Sequence, residues 1–74
     1  MAIESVYFTI DNFRGRHVTQ ALKRELDNLY GVAAVSVDAK THQVGVGYET
    51  LAIRQDQVKL KIEEMGFDIT RMQF

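Results

Sequence analysis

Side chains that could hold a metal ion are few in this chain, and those near its beginning attract attention first. Asp11 and His17 lie in one short segment, and an imidazole suits zinc, copper or nickel. A working site usually needs roughly three or four protein ligands, and the chain has no cysteine. His42 falls in a turn-forming segment that we expect at the opposite end of the domain. Asp11 and His17 are therefore weak candidates for metal ligands, and thiolate-bound copper or zinc is not expected.

Basic residues surround the same segment. Gly15 belongs to a turn that should open a helix, where backbone N–H groups and arginine side chains can together bind phosphate or a carboxylate. The stretch from Arg14 to Val18 is thus an alternative, anion-binding site. A solvated basic surface, balanced by acidic residues elsewhere, is the simpler interpretation. The side chains that could contact an anion or an acidic partner are Arg14, Arg16, Lys23 and Arg24.

The chain contains serine and glutamate residues of the types that enzymes use, but their spacing does not suit catalysis. The two serines, Ser5 and Ser36, fall in predicted strands, and no Gly-x-Ser-x-Gly turn is present. Glu63 and Glu64 are adjacent on a predicted helix, so they point about 100° apart and do not form an acid–base pair. We therefore predict that the chain is not an enzyme.

Composition further narrows the classes of protein to which the chain can belong. The chain has 74 residues and a net charge of -1, which fits one small domain over residues 1–74 and offers no general attraction to nucleic acid. No apolar run approaches the roughly 20 residues of a membrane-spanning helix. The first residues lack the basic and apolar regions of a signal peptide. We expect a cytoplasmic protein that does not insert into membranes.

Hydrophobic periodicity supplies the elements that would position these residues. Ile3 to Ile10 alternates like a half-buried strand, and apolar residues then recur at helical spacing from Val18 to Leu29. Two further strands, Val32 to Val37 and Val44 to Tyr48, flank a short hairpin turn. A second helix runs from about Arg54 to a glycine, and a last strand follows. The apolar stripe of the second helix comprises Val58, Ile62 and Met65, and the last strand comprises Phe67, Ile69 and Met72.

The order strand, helix, strand, strand, helix, strand predicts an α+β protein. Two helix–glycine–apolar transitions, at Gly31 and Gly66, divide the chain into similar halves. Right-handed crossovers then place both helices on one face of a four-stranded antiparallel sheet. The predicted fold is a ferredoxin-like βαββαβ sandwich.

The predicted sheet offers two routes to a protein partner. Gly45 and Gly47 alternate with apolar residues in the third strand, so one face there is flat and open to close approach. A weakened strand interior is the plainer reading of the same glycines. The strands Val32 to Val37 and Phe67 to Met72 are expected at the two sheet edges, where another chain could pair. We predict a protein partner or a weak homodimer.

Two segments, Val18 to Val32 and Tyr48 to Asp68, resemble the heavy-metal-associated family of copper chaperones and P-type ATPase metal-binding domains. Val18 to Val32 is similar to that family's first helix and its Gly-Val exit. Tyr48 to Asp68 is similar to a strand ending in tyrosine, a short connection and a helix closing in Glu-Glu-x-Gly-Tyr/Phe-Asp. The resemblance implies a ferredoxin-like fold and a role in metal ion trafficking.

The register of that resemblance aligns the family's metal loop with Asn12 to Val18. It places the family's loop methionine at Phe13, its two cysteines at Gly15 and Val18, and its nearby aromatic residue at Phe67. A core role in the last strand is an alternative for Phe67. Because neither cysteine is present, the resemblance predicts a degenerate domain that acts through protein interaction or regulation rather than thiolate metal binding.

Overall fold

The computed structural model describes residues 2–11 and 15–73, with the side chains of residues 15–17 outside the description. Within that part the elements follow the predicted order. They are β1 (Ile3–Ile10), α1 (Gly15–Asp27), β2 (Val32–Asp38), β3 (Gln43–Glu49), α2 (Gln55–Glu64) and β4 (Ile69–Gln73). The described strands form one sheet in the order β2-β3-β1-β4, and every neighbouring pair is antiparallel. This confirms the ferredoxin-like sandwich and places β2 and β4 at its edges.

Alternation in the central strands directs their apolar side chains to one face. Val6 of β1 pairs with Val46 of β3, and Phe8 pairs with Val44. All four side chains are at most 1% exposed. Because side chains on a strand alternate between faces, the opposite face of the sheet carries the intervening residues. The core therefore lies on the helix side of the sheet.

Both helices contribute apolar stripes to that core. Leu22 and Leu26 of α1 lie four residues apart, as do Val58 and Ile62 of α2, and all four are fully buried. Partly buried apolar residues, including Val18 and Met65, pack around them. Side-chain burial of this kind supplies the main favourable term in folding.

Glycines with positive φ follow both helices. Gly66 comes directly after Met65, the C-cap of α2, as predicted. Helix α1 ends at Asp27, before the predicted Leu29, so Gly31 lies in the connection to β2. Gly31 and Gly66 have φ of 92° and 91°, in the region that favours glycine because it lacks a Cβ atom. The last strand begins later than expected, at Ile69, so Phe67 lies in the α2–β4 connection. None of the described helices is long and apolar enough to span a membrane.

Candidate functional site

One end of the sandwich gathers three connections of the chain. The Ile10 N–H donates to the His42 carbonyl oxygen at 2.8 Å, which brings the β2–β3 turn to the end of β1. The Asp11 N–H donates to the Asp68 carbonyl oxygen at 2.9 Å, which brings the α2–β4 connection there as well. Helix α1 starts from the same end, because it follows β1 in the chain. We call this region the loop end of the domain.

The loop end contains His42, and the expectation that this residue lies at the opposite end is wrong. Strands β1 and β2 are both antiparallel to β3, so they run in the same direction and finish at the same end. The turn after β2 must then lie beside the loop after β1. The right-handed strand–helix–strand crossover already implied this placement. His42 has φ of 58°, as a residue in a tight turn can.

The sequence-predicted residues of this end are only partly described. Phe13 and Arg14 lie outside the described residues. Gly15, Arg16 and His17 are the first residues of α1, and only their backbone is described. Asp11 is exposed and Val18 is half-buried against the core. Metal binding through Asp11 and His17, and anion binding from Arg14 to Val18, therefore stay predictions.

Acidic and histidine side chains do not cluster in the described part of the chain. No group of three His, Cys, Asp or Glu residues there is arranged to hold a metal ion. Asp38, in the β2–β3 hairpin, uses its carboxylate to accept the Lys40 N–H at 2.9 Å and the Thr41 N–H at 3.4 Å. These donors lower the pKa of Asp38, with the Lys40 N–H contributing most. The Asp38 carboxylate therefore stabilises its own turn.

Phe67 occupies the connection that reaches the loop end. Its side chain is half-buried and packs against the core cluster. The following residue, Asp68, holds its backbone near the end of β1, because the Asp68 carbonyl oxygen accepts the Asp11 N–H. Phe67 thus packs on the core from the loop end rather than from within β4.

The exposed sheet face differs from its predicted shape. The ring of Tyr7 covers Gly45, because a Cβ atom on Gly45 would lie 2.8 Å from Tyr7 Cε1 and 2.9 Å from Ser36 Oγ. At Gly47 the nearest atoms would be 3.8 Å away, on Ala34 and Ile3. The bare face predicted for the third strand is therefore filled at Gly45 by a side chain of this chain and remains more open at Gly47.

A groove that the sequence analysis missed lies between α1 and the free edge of β2. Its volume is about 330 Å³. The residues that line this α1–β2 groove are Thr19, Gln20, Lys23, Val35, Ser36 and Val37. Neither element predicts the groove alone, because it depends on how far apart the helix and the edge strand pack.

Comparison with known proteins identifies the family. CopZ, a copper chaperone of Staphylococcus aureus strain JH9, is 32% identical over 53 residues, which span 72% of this chain and 78% of that protein. This chain belongs to the copper chaperone family of heavy-metal-associated domains. A solved structure of a CopZ metallochaperone matches 93% of this chain and 100% of its own, with a TM-score of 0.81 and 26% identity. No protein-family model matches the sequence.

A second solved structure confirms the fold at lower identity. The copper-binding domain of HMA7, a P-type ATPase, matches 95% of this chain and 97% of its own, with a TM-score of 0.82 and 18% identity. In this heavy-metal-associated domain, Gly15 and Val18 stand where the resemblance places the family's two cysteines, and α1 begins there. The scaffold of the family is therefore retained around positions that carry no thiol.

Proposed function

We propose that this heavy-metal-associated domain, over residues 1–74, acts in metal trafficking as a cytoplasmic protein-interaction or regulatory module. It neither carries cuprous copper on thiolates nor catalyses a reaction. The observation that carries the proposal is the combination of a copper chaperone fold with a sequence that has no cysteine. The positions equivalent to the two cysteines hold Gly15 and Val18, whose side chains offer no ligand.

The chemistry of cuprous copper supports this conclusion. Cu(I) is a soft ion that thiolates and thioethers select, and the thiolate is the form of cysteine that binds. Glycine and valine cannot replace it. A cysteine at the start of a helix would have a lowered pKa, because the positive end of the helix dipole stabilises the thiolate. Positions 15 and 18 both lie in the first turn of α1, so this backbone still suits a pair of cysteines.

Metal uptake by two proteins tests the proposal. The wild-type chain and a Gly15→Cys, Val18→Cys double variant are titrated with Cu(I) against a coloured Cu(I) chelator. We expect the double variant to withdraw one ion per chain from the chelator, because it restores two thiolates on the family backbone. The wild-type chain should withdraw none. Stoichiometric uptake by the wild-type chain would contradict the proposal.

Amide NMR spectra of the wild-type chain separate the alternatives. Saturable shifts confined to residues 11–18 on adding Zn²⁺ would support weak metal binding through Asp11 and His17 instead. The same shifts with phosphate alone would support the anion site between Arg14 and Val18. Shifts along β2, β4 or the glycines of β3 that change with protein concentration would identify a weak homodimer.

A further inference from the structure

We propose that the α1–β2 groove binds an extended, acidic segment of a partner protein, which adds to the sheet as a strand beside β2. The inference rests on the proposed function, since it names the surface and the chemistry of the protein partner. Strand addition of this kind uses backbone hydrogen bonds for affinity and side-chain pockets for specificity.

The free edge of β2 is suited to pairing. In the described sheet β2 pairs only with β3, so alternate backbone N–H and C=O groups of β2 face outward. The strand is seven residues long and contains no lysine, arginine or proline. Such residues are common devices that protect an edge from pairing. A register shift lies between Val32 and Ala34, and pairing is regular from Ala34 to Asp38.

The other edge is less suited. Strand β4 has five residues, includes Arg71, and its pairing with β1 shifts register between Thr9 and Ile10. Arg71 is a basic residue of the kind that protects an edge from pairing, and five residues offer fewer backbone groups to a partner than the seven residues of β2. The structure therefore favours β2 over β4 as the edge that receives a partner.

The groove beside β2 can accept side chains of an added strand. Val35 and Val37 are both half-buried and line the groove, whereas Ser36 between them is exposed. Thr19 and Gln20 of α1 line it from the helix side. Side chains of an added strand alternate between faces, so those on the helix side would enter the groove. A volume of about 330 Å³ fits a few side chains and is too small for a second helix.

Charge determines the chemistry of the partner. Among the described lining residues, Lys23 carries the only charged side chain, and it takes part in no ion pair with another described residue. Of the acidic residues that follow Lys23 on the helix, Glu25 pairs with Lys61 of α2 at 3.3 Å, and Asp27, one turn beyond Lys23, forms no ion pair with Lys23 in the described part of the chain. The groove thus offers an exposed ammonium group without a described counter-charge. A glutamate or aspartate on the added strand would supply one.

The same charge argues against a second copy as the occupant. Antiparallel pairing of β2 with β2 requires a two-fold axis perpendicular to the sheet, which keeps both α1 helices on one side of the joined sheet. Their Lys23-bearing faces would then approach each other. Like charges across an interface oppose association. An acidic segment is attracted to Lys23 instead, and the one like charge that it meets in β2 is Asp38 at the end of the strand.

Titration of the full chain with a model peptide tests the inference. The probe is an eight-residue peptide with blocked ends and the sequence Val-Thr-Glu-Thr-Val-Thr-Glu-Thr, which places its valines and glutamates on the same face of a strand. It is added to the ¹⁵N-labelled protein. We expect saturable amide shifts confined to residues 19–37. The same peptide with N-methylated valines should not bind, because it loses backbone donors while keeping its charge. A lysine-for-glutamate peptide should bind less tightly.

Charge reversal in the protein provides the matched control. Lys23→Glu should weaken binding of the glutamate peptide about three- to tenfold and strengthen binding of the lysine peptide, because an exposed attractive pair becomes a repulsive one. Arg54→Glu makes the same change of charge at the exposed start of α2, outside the groove. It should leave both affinities unchanged.

Three outcomes of the peptide titrations would overturn the inference. They are no binding at millimolar peptide, shifts centred outside residues 19–37, and equal effects of the two charge reversals. Shifts along β2 on concentrating the protein alone would overturn it in favour of a second copy. If the wild-type chain still fails to take up Cu(I), these outcomes leave the proposed function intact. Copper uptake by the wild-type chain would contradict the proposed function whatever the peptide does.

Discussion

Gly31→Ala gives the sharpest test of how this domain is packed. Gly31 joins α1 to β2, and its carbonyl oxygen accepts the Glu49 N–H at 2.8 Å. An alanine Cβ there would lie 2.8 Å from Ile53 Cγ2 and 3.0 Å from Ala52 Cβ. Ile53 is only 6% exposed and belongs to the core, so it has little room to move away. The substitution should therefore crowd the core as well as strain the backbone.

Gly66→Ala is the matched control for backbone strain alone. The two glycines have nearly equal φ, 92° at Gly31 and 91° at Gly66, and a Cβ on Gly66 would meet nothing within 4 Å. Strain at positive φ should lower the free energy of unfolding by about 1–2 kcal/mol in each variant. Crowding should lower it by a further ~1–3 kcal/mol in Gly31→Ala only. Any change in the entropy of the unfolded chain is similar in the two variants.

Urea unfolding followed by circular dichroism measures the difference. Each kcal/mol should lower the melting temperature by about 4–8 °C in a domain of this size, so thermal melts provide a second measurement. The slope of free energy against urea should stay unchanged, because both variants keep the same fold. Equal losses of stability in Gly31→Ala and Gly66→Ala would refute the reasoning, since they would show that the contacts with Ile53 cost nothing.

Two further predictions concern pH. The N–H groups of Lys40 and then Thr41 lower the pKa of Asp38 below its ordinary 3.8, so the stability that this carboxylate contributes is present above about pH 4 and lost on further acidification. Asp38→Asn should reduce this loss of stability in acid, measured by urea unfolding at a series of pH values. An unchanged loss of stability in acid would contradict the assignment. Burial, and secondarily the charge of Glu4, raises the pKa of Tyr48 above 10.0, so its stability is present below about pH 10 and lost above it. Ultraviolet titration of Tyr48→Phe should lack a late-ionising phenol that the wild-type chain shows, and Glu4→Gln should shift that phenol toward lower pH. An unchanged titration in Tyr48→Phe would contradict this.

Much of the fold was predictable because each element carries its own period. Strand β1 has the predicted bounds, and α2 begins directly after Arg54, where the spacing changes. The end of the chain was less predictable. Phe67 is apolar and half-buried, which is also typical of a strand residue, yet it packs on the core from the connection before Ile69. The local sequence pattern does not show whether the ring is buried from a strand or from the connection before it.

Features that depend on two elements were harder to predict. The covering of Gly45 by Tyr7 needs the register of β1 against β3, and sequence spacing alone does not specify it. The α1–β2 groove depends on the separation of a helix from an edge strand. The position of His42 is different, because strand direction determines it and the crossover rule was sufficient to predict it. Features that follow from the periodicity of one element were therefore predicted, whereas those that depend on the distance or register between two elements were not.

The core and the loop end occupy different parts of this domain, and this separation explains how the fold can persist without thiols. The fully buried side chains, such as Phe8, Leu22 and Ile62, pack between the sheet and the two helices. The positions equivalent to the family's cysteines lie at the start of α1, beyond the end of β1. Domains whose metal ion organises the core unfold without it. Here apolar burial holds the sandwich together, so the fold does not depend on thiolate ligands at those positions.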